Sequence, residues 1–296
     1  MKSQPETAAT SSHGAGLLAR PSADETGIAN RGSVNIVWRR YGDGAQTVLI
    51  VPTWNFVDSR VVRYQVEGLR KRFRVITYDA RGSGDSGHPA TGYEFGDHLG
   101  DALAVLDATN TDLASVVAAS TGTHVAVLLA ARSPARVRRL ALVAPPMDIP
   151  GSGSPTGSET EEAEDVGSDD VESDEPSWRT EYERFVPWFI STVFPEPNMD
   201  TTIREIIQIG LQADHAMLIQ QAGERDWDEA PRDLGNIRCP TLVIHGRDDR
   251  TLSLKSVQDV AAAIPGARLA LLDGLGHRPD ISRPEIVNEL LLDFFR

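Results

Sequence analysis

From Val34 onward, short apolar runs alternate with longer segments whose apolar residues fall three and four apart. The runs predict strands at Val34–Tyr41, Thr47–Val51, Arg74–Tyr78, Ala114–Ala118, Arg139–Val143, Thr241–His245 and Arg268–Leu272. The inner ones are almost unbroken in apolar side chains, the pattern of parallel strands covered on both faces. Between them, Phe95, Leu99, Leu103 and Leu106 share one face of a helix, and a second helix is predicted from Leu254 to Ile264. A last one begins with Pro284 in its first turn and runs to Phe295. Strands and helices in alternation predict an α/β fold with a doubly wound, mostly parallel sheet.

The alternation is interrupted in two places. Residues 1–27 are rich in Ser, Ala, Thr and Gly without periodicity and read as a disordered tail. The first part of the core then spans 28–149. Residues 150–177 are acidic and of low complexity, and read as a loop too polar to build a core. Residues 178–231 turn helical, with Trp178, Phe185, Trp188, Phe189 and Phe194 in one helix and Ile203, Ile206, Ile207 and Leu211 in the next. Pro187 should kink or split the first of these. This helical excursion, inserted after the strand ending near Val143, reads as a cap. The β/α pattern resumes after Cys239-Pro240, and 232–296 complete the core.

Charge sharpens the division. The chain of 296 residues carries a net charge of −14, and residues 151–176 alone hold ten Asp or Glu and no Lys or Arg. The remainder has 33 acids against 29 bases, so the imbalance is local. An acidic balance argues against nucleic acid as a partner. Cys239 is the only cysteine, so no intrachain disulfide can form. No run approaches the ~18 apolar residues of a membrane span, and the first residues lack the apolar stretch of a secretory signal. A cytoplasmic location is the expectation.

The candidate chemistry centres on Leu113–Pro134. A strand-like run stops at Ser120 and a helix-like run starts at once with His124, Val125, Val127, Leu128 and Ala131. Ala118 and Gly122 keep both sides of the serine small, the requirement of a G-x-S-x-G nucleophile elbow, here written A-A-S-T-G. Such a turn exposes a serine over a helix N-terminus, where backbone N–H groups can stabilise an oxyanion. A nucleophilic serine needs a base, and the base needs an orienting acid. His277 follows the strand ending at Leu272, and Asp248 and Asp249 follow the strand ending at His245. All three positions lie at strand C-termini, the edge where open α/β sheets place their sites. Asp249 is the favoured acid, with its neighbour Asp248 and with Asp148 as alternatives. For the oxyanion hole, the N–H of Thr121 is expected on one side. The other donor should come from the loop after Thr47–Val51, from Trp54 first and Thr53 second, since Pro52 has no N–H. Trp188 and Phe189 are the expected pocket residues from the cap.

Competing signals are weaker. Gly82, Gly84 and Gly87 match G-x-G-x-x-G after a strand, but a dinucleotide site needs a helix opening within the motif, and none is patterned before Tyr93. His124 reads as packed and His245 as a hydrogen-bonded strand-end residue. His88 and His98 have no assignable partners, and Cys239 reads as a small buried residue. No His, Cys or carboxylate spacing suggests a metal, and no cofactor is expected.

On these motifs the chain from about Gly27 to Arg296 resembles the α/β-hydrolase superfamily. YDARGSGDS (78–86) looks like that superfamily's D-x-R-G-x-G-x-S segment. LIVPTWNFVDSRVVRYQ (49–65), RFRVITYDARGSGDS (72–86) and FPEPNMDTTIREIIQIGLQAD (194–214) are similar to bacterial hydrolase domains often fused to adenylate cyclase or helix-turn-helix regulatory domains. Those domains share a P-T-W-x-x-x-x-S-R segment where most relatives carry His-Gly. The resemblance implies Ser120 as nucleophile, Asp249 as acid and His277 as base. It supplies no substrate. The acidic insert is longer than the family pattern, and Ala118 replaces the first elbow glycine.

The combined expectation is a capped serine hydrolase for a small, largely apolar ester or lactone. Carbon–carbon bond hydrolysis and cofactor-free perhydrolysis use the same three groups. The rival from another class is a small-molecule sensor that binds on a hydrolase scaffold with little turnover.

Overall fold

A computed structural model of the protein describes residues 16–149 and 175–296. The apolar runs form one eight-stranded sheet: β1 (Glu25–Arg31), β2 (Val34–Tyr41), β3 (Thr47–Ile50), β4 (Arg74–Tyr78), β5 (Ala114–Ala119), β6 (Val137–Val143), β7 (Thr241–Gly246) and β8 (Arg268–Leu272). Their spatial order is β1-β2-β4-β3-β5-β6-β7-β8. β2 is antiparallel to both of its neighbours, and from β4 to β8 every pairing is parallel. The chain leaves β3 for β4 on one side and later returns to β5 on the other. The C-terminal ends of β3 and β5 therefore flank a topological switch point, where the flanking loops diverge and leave a crevice.

Side chains alternate across the sheet and build two apolar layers. Val48, Ile50, Val75, Val117, Ala141 and Ile244 belong to one layer, with α1 (Arg63–Leu69) and α10 (Pro284–Phe294). Leu49, Ile76, Val116, Leu140 and Leu142 belong to the other, with α2 (Phe95–Ala108) and α3 (Gly122–Arg132). After β6 the chain forms α4 (Tyr182–Val193), α5 (Asp200–Gly210), α6 (His215–Glu224) and α7 (Glu229–Asp233) before re-entering the sheet at β7. α8 (Leu254–Ala263) and the short α9 (Pro279–Ser282) follow β7 and β8. Phe185, Val186, Phe189 and Ile190 of α4 and Ile206 and Ile209 of α5 are continuous with the first apolar layer, so the helical insertion shares the core's own apolar layer. Among the described residues, no helix is long and apolar enough to cross a membrane.

Two expectations change, and one strand is added. α4 runs unsplit through Pro187. The ring removes the hydrogen bond to the Glu183 carbonyl, and Glu183 lies on the exposed face, where water can take that acceptor's place. Residues 16–27, expected as tail, are part of the fold. Leu17 is fully buried and its N–H donates to the Glu205 carboxylate of α5 at 2.7 Å. Arg63 donates to the carbonyls of Gly16 and Ala19. Glu25 then opens β1, an edge strand in which Ala29 is the one fully buried position, which is why no apolar run announces it. Residues 1–15 of the expected tail, and 150–174 of the expected acidic loop, lie outside the described residues.

Candidate active site

The crevice at the switch point is closed from below by the turn between β5 and α3. Ser120 occupies that turn with φ of +50°, a left-handed conformation that costs a side-chain-bearing residue energy. The turn is held by its own backbone. The Ser120 N–H donates to the Val143 carbonyl at 2.9 Å, and the Ser120 carbonyl accepts from the N–H and hydroxyl of Thr123 at 2.8 and 2.7 Å. A Cβ on Gly122 would stand 2.1 Å from the Pro52 carbonyl oxygen, so only glycine lets α3 start this close to the loop after β3. Ala118, one strand position before Ala119, is buried in the α2/α3 layer, and its methyl is accommodated there.

Loops after β7 and β8 bring the other two groups. His277 Nε2 lies 2.9 Å from Ser120 Oγ, and His277 Nδ1 lies 2.8 Å from Asp249 Oδ2. A carboxylate can only accept, so Nδ1 carries the ring proton and Nε2 is left to accept from the serine hydroxyl. The second oxygen of Asp249 accepts from the Thr251 N–H at 2.7 Å, its hydroxyl at 2.8 Å and the Leu252 N–H at 3.0 Å. Burial opposes ionisation of Asp249. The field of His277, its hydrogen bond and the Thr251 donors outweigh that penalty and hold the carboxyl down to about 2. Asp248 is exposed, and its N–H donates to the Leu275 carbonyl at 2.9 Å. The partner of His277 is Asp249 rather than Asp148.

This carboxyl makes the fold acid-sensitive in a defined window. Its value lies below the ordinary 3.8, so its contribution to stability is complete above about pH 4 and is lost as pH falls towards 2. Unfolding free energy measured across that window should fall in the wild type and fall less steeply in Asp249→Asn. Parallel slopes in the two proteins would contradict the assignment.

Among the described residues His98, His124 and His245 are buried, whereas His88 is exposed. His124 stacks on Phe95 at 4.7 Å, and burial, reinforced by Arg225, lowers it to about 3. His245 departs from its expected role, since neither ring nitrogen has a hydrogen-bond partner among the described residues. Its Nδ1 stands 3.7 Å from Asp249 Oδ2, too long for a hydrogen bond, while His277 Nδ1 bonds that oxygen at 2.8 Å. Burial lowers it to about 4 against the pull of Asp249, which keeps the ring neutral. His98 is buried with Nε2 unpartnered among the described residues. Cys239 is half-buried, not fully buried, and burial raises its thiol. The Gly82–Gly87 segment is a loop with positive φ at Gly82 and Gly84, and α2 does not begin until Phe95.

Ser120 and His277 open into a narrow pocket with about 30 Å³ of free space. Its walls are apolar: Trp54, Phe56 and Val61 from the loop and turn after β3, Phe189, Ile190 and Val193 from α4, and Ile206 from α5. Trp54 meets Phe56, Phe185 and Phe189 edge-on at 5.0, 6.2 and 5.7 Å. Thr53 and Trp54 both border the cavity beside Ser120, while Thr121 stands at the N-terminus of α3. Of the two cap residues expected here, Phe189 lines the pocket and Trp188 does not. Adjacent helix positions diverge by about 100°, and Trp188 turns instead against Phe185 at 5.8 Å. Arg278 was not anticipated. It lines the pocket, but its guanidinium is held by both oxygens of Asp280 at 2.8 and 2.7 Å, which cancels its charge. The R-P-D sequence after His277 is the only signal that could have pointed to it.

Comparison with known proteins agrees with this architecture. A family model described as alpha/beta hydrolase fold matches residues 46–279. A putative non-heme chloroperoxidase from Synechocystis is 27% identical over 91% of this chain and 98% of its own length. A 2-hydroxymuconate semialdehyde hydrolase from Pseudomonas strain CF600 is 31% identical over 76% of this chain and 77% of its own. An esterase from Exiguobacterium antarcticum superposes with a TM-score of 0.77 at 23% identity, covering 90% of this chain and 97% of that one.

Proposed function

Because the chain belongs to the alpha/beta hydrolase fold family, we propose that it is a serine hydrolase acting on a small, largely apolar carbonyl compound, an ester or lactone. The observation that carries this reading is the unbroken hydrogen-bonded series from Ser120 through His277 to Asp249 at the floor of an apolar pocket. His277 takes the Ser120 proton as Oγ attacks the carbonyl carbon. Asp249 holds the imidazole in the tautomer that can accept that proton and stabilises the imidazolium formed. The backbone N–H groups of Thr121 and Trp54 receive the oxyanion. His277 then protonates the leaving oxygen, an acyl group stays on Ser120, and water activated by the same imidazole releases the acid.

The pocket supports an uncharged substrate. Its walls are aromatic and aliphatic, and Arg278, the charged side chain at its edge, is already neutralised by Asp280. A charged ligand of either sign would have to break into that ion pair to find a partner there.

Turnover tests the proposal against the sensor reading. Purified protein offered a panel of neutral esters and lactones, with 2-hydroxymuconate semialdehyde added because it appears in a relative's name, should release product over many cycles per molecule. Release that stops after about one equivalent would favour a receptor that traps its ligand. Turnover restricted to the semialdehyde would move the reading to carbon–carbon bond hydrolysis.

A further inference from the structure

The loop that carries the base is fastened to the cap. Glu196 lies between α4 and α5, and its side chain is buried against the loop that follows β8. One carboxylate oxygen, Oε1, accepts from the Gly276 N–H at 2.8 Å and from the Ser282 hydroxyl at 2.6 Å. These donors bracket His277 in the chain. The His277 N–H itself donates to the carbonyl of Val193, the last residue of α4, at 3.2 Å. The surfaces are in direct contact: a Cβ on Gly276 would stand 2.2 Å from the Pro195 ring and 3.0 Å from the Val193 carbonyl oxygen. The other oxygen, Oε2, is buried and has no partner among the described residues. A buried carboxylate is costly unless its bonds compensate, so packing alone does not account for a glutamate here.

We propose that Glu196 is a positioning residue for His277, through which α4 sets the place of the base. The same helix presents Phe189, Ile190 and Val193 to the pocket, so the wall that meets the substrate and the loop that holds the imidazole are one mechanical unit. The inference rests on the reading of His277 as the general base. Its content is geometric: the acceptor oxygen matters and the negative charge does not. Glutamine supplies an equivalent acceptor, whereas alanine supplies none.

The test compares Glu196→Gln and Glu196→Ala with wild type in the full chain. Three quantities are read: steady-state kinetics, the rate of fluorophosphonate labelling, and the far-downfield proton resonance of the His277–Asp249 hydrogen bond. Glu196→Ala should lower kcat about 10- to 100-fold with a much smaller change in KM, since misplacement of about 1 Å has effects of that size. Labelling should slow in proportion, and the downfield resonance should broaden or disappear. Glu196→Gln should keep all three close to wild type. An alanine variant with wild-type kcat and labelling rate would overturn the proposal, as would a glutamine variant as impaired as alanine. If the alanine variant does not fold, Ser282→Ala removes one of the two side-chain bonds, and its kcat should fall while its KM holds; an unchanged kcat there also overturns it. A wild type that takes no label at Ser120 would instead sink the hydrolase reading, and the proton resonance would still report on the clamp.

Discussion

Ser120→Ala is expected to abolish fluorophosphonate labelling and to lower kcat by about 10⁶-fold, the usual cost of removing the serine or histidine of a triad. The size of the effect follows from cooperation. The hydroxyl 2.9 Å from His277 Nε2 is the group placed for the imidazole to deprotonate towards a bound carbonyl in the first step. Without it His277 and Asp249 keep their bond but no acyl-enzyme can form, and the residual rate comes from binding and the oxyanion donors. Mass spectrometry of the labelled protein identifies the modified residue. A label that persists in Ser120→Ala, or that maps to another serine, would remove Ser120 from its role.

The second large effect is expected at the acid. Asp249→Asn should lower kcat by about 10⁴-fold, because an amide placed against His277 offers N–H where the carboxylate accepted. The amide oxygen can still take the Thr251 and Leu252 donors, which leaves the NH₂ facing Nδ1. The ring is then driven to the tautomer with its proton on Nε2, which cannot receive the serine proton. Asp248→Asn, in the exposed neighbour, should change kcat little. The reverse outcome would place the catalytic carboxylate at 248, and two silent substitutions would direct attention to Asp148.

Much of this arrangement was legible in the chain because it depends on local rules. β2, β4 and β8 begin and end where the apolar runs do. Strand C-termini fix where loops emerge, so a serine, an aspartate and a histidine placed just after β5, β7 and β8 had to arrive at one edge of the sheet. What escaped depends on contacts distant in sequence. β1 is mostly exposed, and it is a strand because β2 pairs with it along its whole length, not because its residues form an apolar run. Leu17 looked like tail because its neighbours are small and polar, yet Glu205 and Arg63, far along the chain, anchor it. Trp188 and Phe189 are equally aromatic, and only the rotation of α4 separates the one that meets the cavity. Arg278 and Glu196 act through partners that composition and periodicity do not reveal.

The left-handed backbone at Ser120 bears on any attempt to make this protein sturdier. Glycine adopts that conformation freely, whereas a residue with a Cβ pays on the order of 1–2 kcal/mol for it. A library ranked by melting temperature alone would therefore tend to reward a glycine at position 120 and recover a more robust protein without the serine proposed as nucleophile. Thermostabilisation campaigns should hold this position fixed, and a variant that gains stability here is diagnostic of a site whose chemistry and whose folding favour different residues.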